Sequence, residues 1–487
     1  MSLRDYQIEA QDAVLTNKIG QIISPTGTGK SIIQGAVFES LINIKPGFGI
    51  YVILTPRIML TNQLMQTVGN HLIKNTKILA LTIHSSSDIA KFDNDSEDDY
   101  IKKICAEIGN FSTTNSDDVV SRIEDAIHKN LPLLICCTYD STPTLIRALL
   151  HLKLKADQVL CDEAHYIVEK QFNKNITDLK PFTNKIHFFT ATQKITNGDL
   201  GNGMNNEDFY GPVIFRRTPK QMIEAGYMVR PRLHIERTED DAPWSKMVAD
   251  AFEEHQKHVS YNAKMLVCCN GTKTIEEISK SSGFKEFCKK EEITLFSISS
   301  AYGATINGIE FKRSEFLEKL NNHKGKAIIL HISILTEGID VPDITGVMFI
   351  RNMGLVRFLQ SLGRATRVLK DDNRKPTDDF EFNSINWIKP YAWVIVAEKL
   401  SDHDGKTANI ETIIKDMRAE GFEPTEEVII AIDRAKNERE EIKLCNKKAK
   451  KVGSNFADLF DIQHEIEIEK FAALTDDEAL NQIMVLV

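Results

Sequence analysis

The sequence predicts an α/β protein: two parallel-sheet domains in tandem, followed by a small helical C-terminal region. Short β-rich apolar runs alternate with helix-length segments, a second such series follows a proline-marked break, and the β-rich runs stop after about residue 402. A chain of 487 residues can hold several domains and a large core. With 42% hydrophobic, 26% charged and 8% aromatic residues, composition excludes collagen-like and wholly disordered classes.

The first series reads Gln21–Ile23, Tyr51–Leu54, Ile78–Leu81, Leu133–Cys136, Gln158–Cys161 and Ile186–Phe189. Each run is too short for a buried helix and fits a strand covered on both faces. This predicts a first domain over residues 1–215. Within it, residues 93–130 open on the acidic run Asp93–Asp99 and read as a helical surface insertion, two helices with no strand of their own. A connector is expected over 216–243, where Pro219, Gly226 and Pro231 interrupt regular structure. The second series, Met265–Cys268, Ile293–Phe296, Ala327–Leu330, Val347–Ile350 and Ala392–Val396, predicts a second domain over 244–402. Residues 403–487 are expected to be helical. The alternating charges of Glu426–Lys451 read as an exposed helix, either a solvated face or a helix that binds a protein partner or tracks nucleic acid.

Sixty Lys and Arg against 69 Asp and Glu give a formal charge of -9, so no global positive field draws the chain to a polyanion and any such ligand must be held locally. No apolar run reaches the ~20 residues needed to span a bilayer. The first residues lack a signal-peptide core, so a soluble, intracellular protein without membrane association is expected. The eight cysteines (Cys105, Cys136, Cys137, Cys161, Cys268, Cys269, Cys288 and Cys445) form no C-x-x-C pair and no zinc-like spacing. They read as reduced, small buried hydrophobes.

Ser24-Pro25-Thr26-Gly27-Thr28-Gly29-Lys30-Ser31 lies between a strand ending at Ile23 and a helical pattern starting near Ser31. That is the setting of a P-loop, in which glycines let backbone N–H groups wrap phosphates at a helix N-terminus. Thr26, Gly27, Thr28 and Gly29 form the cradle, Lys30 reaches the β- and γ-phosphates of ATP, and Ser31 ligates Mg²⁺. Ser24 stands where the pattern has glycine and is small enough to keep the turn. A carboxylate pair at another strand end, Asp162-Glu163 in Val159–His165, supplies the second half: Asp162 for the Mg²⁺ shell, Glu163 to orient and deprotonate the attacking water.

With these motifs the sequence resembles the superfamily two helicases and translocases, DEAD/DEAH-type motors built from two RecA-like domains. The ordered motifs run from Leu3 to Arg367. Leu3-Arg4-Asp5-Tyr6-Gln7 is similar to the adenine-side element, which makes Gln7 the base reader, with Arg4 or Tyr6 beside the ring. Thr336–Pro342 resembles motif V, implying roles for Thr336 at nucleic acid and for Gly338 and Asp340 at ATP. Gln360–Arg367 resembles motif VI; on a helix Arg364 and Arg367 share a face and present two guanidinium groups to the γ-phosphate. The resemblance implies a coupling set of His165, Thr190, Thr192 and Gln360. It also implies nucleic-acid contacts at Thr55 and Arg57 (motif Ia), Thr138 and Tyr139 (Ic), and Asn270 and Thr272 (IV). Two half-sites on separate sheets imply a closure driven by ATP.

The function expected from this resemblance is an ATP-dependent helicase or translocase without sequence specificity. Leu-Arg-x-Tyr-Gln, Asp-Glu-Ala-His and Gly-Ile-Asp-Val-Pro are most similar to restriction-motor and branch-migration members, which favours DNA over RNA. An ATP-gated clamp or sensor, or the motor subunit of a restriction-type complex, is the alternative; neither would unwind on its own.

Overall fold

A strand, a covering helix and a further strand make parallel pairing the natural connection, because the helix carries the chain back along the sheet. The computed structural model describes residues 3–73, 76–84, 110–196, 202–238, 242–259, 262–299, 303–332, 341–351, 353, 355–369, 388–399, 410–419, 421–422 and 429–432. They fall into two units, the first in the main Met1–Thr218 and the second the chain from Pro219 onward.

In the first unit, helix α1 (Asp5–Thr16) precedes β1 (Ile19–Ile23), α2 (Lys30–Ile44), β2 (Gly49–Thr55), α3 (Ile58–Ile73) and β3 (Leu79–Ile83). Then follow β4 (Asn110–Thr113), β5 (Pro132–Thr138), β6 (Gln158–Cys161), β7 (Ile186–Thr190) and β8 (Val213–Arg216). The sheet order is β4-β3-β5-β2-β6-β7-β1-β8, and every pairing is parallel. Strands β2 and β5 are buried at every residue, as a sheet covered on both faces requires. Val52, Ile135 and Phe188 belong to this core, each contributing about 1.5–3 kcal/mol by leaving water. Register decides where chemistry can gather: Ile23 pairs with Thr190, Thr55 with Thr138 and Leu54 with Cys161. The loops after five strands therefore leave one edge, the carboxyl end, where open α/β sheets bind ligands.

The second unit's sheet, β13-β12-β11-β14-β10-β15-β16-β9-β17, comprises β9 (Arg230–Thr238), β10 (Lys264–Cys268), β11 (Thr294–Ser299), β12 (Gly303–Ile306), β13 (Ile309–Glu310), β14 (Ala327–His331), β15 (Gly346–Phe349), β16 (Tyr391–Lys399) and β17 (Ile429–Ile432). Only β12 and β13 run antiparallel, in an edge hairpin turned by Asn307 and Gly308, both at positive φ. Trp393, Phe252, Met265 and Ile328 are among its core residues.

Every strand expected from the apolar runs is present, and both sheets are the parallel kind expected. The structure differs in the remainder. Residues 110–113 of the expected helical insertion form β4 on β3, followed by the helix Ser116–Lys129, capped by Asn115 at its start and by Asn130 in the left-handed region at its end. Of the segment read as connector, Pro219–Glu224 is a helix and 230–238 is β9, paired along nine residues with β16. Beyond residue 402 the helix Ile410–Ala419 is followed by β17, which extends the sheet on β9. The acidic run Asp93–Asp99, the charged stretch 433–451, Cys105 and Cys445 lie outside the described residues. The other six cysteines are free and buried. Among the described residues no helix is long and apolar enough to cross a membrane.

Candidate active site

β1 ends at Ile23 and the chain turns at once, with Ser24 N donating to Thr190 O of the next strand. Ser24, in place of the pattern's glycine, is fully buried; its hydroxyl meets that of Thr28 at 2.7 Å, and Thr28 also donates to Pro25 O. The turn is thus braced across its mouth by two hydroxyls. Thr26 at the tip is half-buried, and Gly27 and Gly29 sit at φ 87° and 80°. A Cβ at Gly29 would lie 2.7 Å from Gln7 Nε2, so both its left-handed backbone and its neighbour demand glycine. α2 begins immediately with Lys30, whose Nζ reaches back to the carbonyls of Ser24 (3.2 Å) and Pro25 (3.4 Å). The ammonium and the first N–H groups of α2 face the ring of the loop, which is how a phosphate is cradled.

Tyr6 and Gln7 brace this loop from behind. Tyr6 Oη donates to Thr28 O at 2.6 Å and Gln7 Nε2 to the same carbonyl at 3.3 Å, while Gln7 Oε1 accepts from Arg4 N. The expected adenine-side residues therefore lie against the loop, with the Gln7 amide occupied by Arg4 and Thr28.

Across the sheet edge, Asp162 follows β6 and is buried. Its N–H bonds Leu54 O, and its Oδ1 accepts from Gln34 Nε2 of α2 at 3.0 Å. Burial, reinforced by the neighbouring Glu163, pushes its carboxyl up to about 7, opposed by Lys30 and Gln34. Glu163 adopts a left-handed backbone (φ 47°, ψ 48°), costly for a residue with a Cβ. Glu163 Oε2 lies 3.4 Å from His165 Nδ1, which is 3.0 Å from Thr190 Oγ1; Thr190 donates on to Thr192 O at 2.8 Å. Three of the four expected coupling residues thus form one chain. Burial holds His165 below its ordinary value despite Glu163, so its imidazole is neutral.

A buried Asp carboxylate and the Ser31 hydroxyl are hard oxygen donors suited to Mg²⁺, which is held by one or two protein ligands plus phosphate oxygens rather than by a protein cage. No His, Cys, Asp and Glu cluster of three among the described residues competes with that assignment.

The nucleic-acid expectations need correction. Tyr139 is fully buried, its hydroxyl donating to Asp162 O at 2.7 Å and its ring against Phe172, so its side chain props the carboxylate loop from below. Thr55 and Thr138 are also buried, bonded to Arg57 O with Thr61 and to Ser141. Arg57 is the exposed side chain of that group. In the second unit, Asn270 follows β10, exposed, and accepts from the Thr274 hydroxyl; Thr272 opens the helix Thr272–Lys280. Thr336, Gly338 and Asp340 lie outside the described residues.

Motif VI also departs from expectation. Its helix is Leu355–Ala365, so Gln360 and Arg364, both buried, are helical, but Arg367 is past the end. Arg367 is drawn into an antiparallel bridge with Met228, and its carbonyl accepts from the buried ammonium of Lys389 at 2.8 Å. Arg364 and Arg367 therefore do not share a helical face.

Sequence reasoning missed Gln34, Tyr139 as a prop and Lys389. A signal existed for Gln34 alone: a glutamine amid Ile33, Ala36, Val37 and Phe38, all core residues of α2.

Residues 1–195 match the family described as "Type III restriction enzyme, res subunit", and residues 247–369 match "Helicase conserved C-terminal domain". A probable helicase of African swine fever virus is 24% identical over 251 residues, 49% of this chain and 26% of that protein. Among solved structures, the ATP-dependent Type ISP restriction-modification enzyme LlaBIII bound to DNA is similar with a TM-score of 0.67 at 16% identity, covering 93% of this chain and 34% of that one. A nuclease-deletion mutant of the Type ISP enzyme LlaGI in complex with a DNA substrate mimic gives 0.58 at 19% identity, covering 96% and 35%. The matches take in 26% of the viral relative and about a third of each restriction enzyme, and at these identities the structures speak for fold alone. What decides the family is two matches in tandem, each on the sheet that carries its own motifs: the chain belongs to the superfamily two helicases and translocases.

Proposed function

We propose that the chain is an ATP-driven helicase or translocase that moves on DNA without reading sequence. The observation carrying this reading is the meeting, at one sheet edge, of the Lys30–Ser31 loop with Asp162 and Glu163, linked through Gln34. Lys30 binds the β- and γ-phosphates, and Ser31 with Asp162 would hold Mg²⁺. Bound Mg²⁺ supplies neutralising charge to the phosphate oxygens. Glu163 orients a water and takes its proton as the water oxygen attacks the γ-phosphorus, while the bond from that phosphorus to the bridging oxygen breaks and ADP departs. Neutral His165 relays the position of Glu163 to Thr190 and Thr192. Contacts to sugar and phosphate by Arg57, Asn270, Thr272 and exposed backbone would hold the polymer without base readout.

DNA is favoured by the motif style and by the two restriction enzymes, whose structures were solved with DNA or a DNA mimic. Steady-state ATP hydrolysis with single-stranded, duplex and forked DNA and with the RNA equivalents tests this, using Lys30→Ala as blank. Stimulation by DNA above RNA is expected. Stimulation by RNA alone would overturn the choice of track, and none by any polymer would overturn the motor.

A further inference from the structure

Gln34 is fully buried on α2, an unusual place for a primary amide between core residues. Its Nε2 is spent on Asp162 Oδ1, 3.0 Å away. Its Oε1 is buried and has no hydrogen-bond partner. Such an orphaned acceptor costs stability that a leucine of similar size would keep. The position is also particular: Gln34 stands four residues after Lys30 and three after Ser31, so one face of α2 carries all three side chains. The two polar atoms belong to one planar amide, so the orphaned oxygen sits beside the Nε2 that holds the carboxylate.

Resting on the nucleotide-site reading above, we infer that Gln34 is a positioning residue for the hydrated divalent cation that accompanies the nucleotide. Its N–H fixes the rotamer of Asp162 by occupying Oδ1, which leaves the other carboxylate oxygen to face the ion. Its Oε1 accepts a hydrogen bond from a water of the ion's hydration shell. Mg²⁺ sheds water reluctantly and keeps several molecules when bound, so a site for it needs acceptors beyond the direct ligands. Loss of a group that holds a metal ligand in place typically lowers affinity for the ion about 10- to 100-fold. An ionised Asp162 also selects the amide orientation, since the reverse would set two oxygens against each other.

The test is a Mg²⁺ titration of fluorescently labelled ADP binding to the full chain, comparing wild type with Gln34→Leu, Gln34→Met and Asp162→Ala. ADP affinity in EDTA is expected to be unchanged in both Gln34 variants, because neither the loop nor Lys30 is touched. The half-saturating Mg²⁺ concentration is expected to rise about tenfold in both, the lower end of the range for loss of a group that holds a metal ligand. Wild-type Mg²⁺ dependence in the Gln34 variants alongside a clear shift in Asp162→Ala would overturn the inference alone. No shift in Asp162→Ala either would overturn the metal assignment itself and this role with it. Met keeps the unbranched shape of Gln, so it carries the comparison if the leucine variant fails to fold by circular dichroism.

Discussion

At the scale of single residues, the P-loop shows how little freedom its glycines have. Gly29→Ala forces a Cβ into a left-handed backbone and against Gln7 Nε2, so it should cost about 1 kcal/mol of stability and weaken nucleotide binding more than it alters the melt. Isothermal titration with ADP beside a thermal melt checks it; wild-type affinity would mean that Gln7 yields freely. Glu163→Gln keeps the size of the side chain but loses the proton acceptor. It should bind ATP normally and turn over at least about a hundredfold more slowly, read in single-turnover hydrolysis. Lys30, Ser31, Asp162 and Glu163 were legible because their spacing is dictated by phosphate and ion geometry, which changes little between folds. Tyr139 was not, since the same residue type at the same strand end serves equally as a contact or a prop, and only burial tells which.

At the scale of elements, legibility followed hydrophobic continuity. Strands buried on both faces, such as β2 and β5, announce themselves as unbroken apolar runs. Strands at or near an edge do not: β4 is Asn-Phe-Ser-Thr, and β9 begins Arg-Pro-Arg and mixes charge throughout. Arg367 escaped for another reason, because helical spacing assumes that the helix continues, and tertiary bonds to Met228 and Lys389 pull the chain out of it. Lys389 gives that exit a test. Its buried ammonium serves the carbonyls of Ile344 (2.6 Å) and Arg367 (2.8 Å), and Lys389→Met leaves both without it at about 1–3 kcal/mol each. A lower urea midpoint for the second unit, with the first unchanged, is the expected result; hydrogen exchange resolves the two.

At the scale of the whole molecule, acid should be a denaturant. His187 in the first unit and His255 and His331 in the second are each pushed down to about 3 by burial, His255 further by Lys389, His234 and His258, and His331 by Arg364 and Arg351. They stay neutral in the fold while the unfolded chain takes up protons below about 6.5, so stability present at neutral pH is lost as pH falls from there toward 3. Asp162 acts in the opposite sense, since its raised carboxyl is protonated in the fold over a range where the unfolded one is not. Urea midpoints at pH 7 and pH 5 should show the histidines winning, with His255→Phe flattening the slope; a pH-independent midpoint would contradict it. Strand order carries a further consequence, for how the protein is made. The first sheet has all eight strands once residue 216 is synthesised, so a nascent chain can complete it early. The second cannot, because β9, made by residue 238, must wait for β16 at 391–399 and β17 at 429–432 to arrive on either side. Through that interval of translation both edges of β9 are open to pairing with other chains, and a ribosome-bound product ending at residue 390 should recruit chaperones that one ending at residue 218 does not.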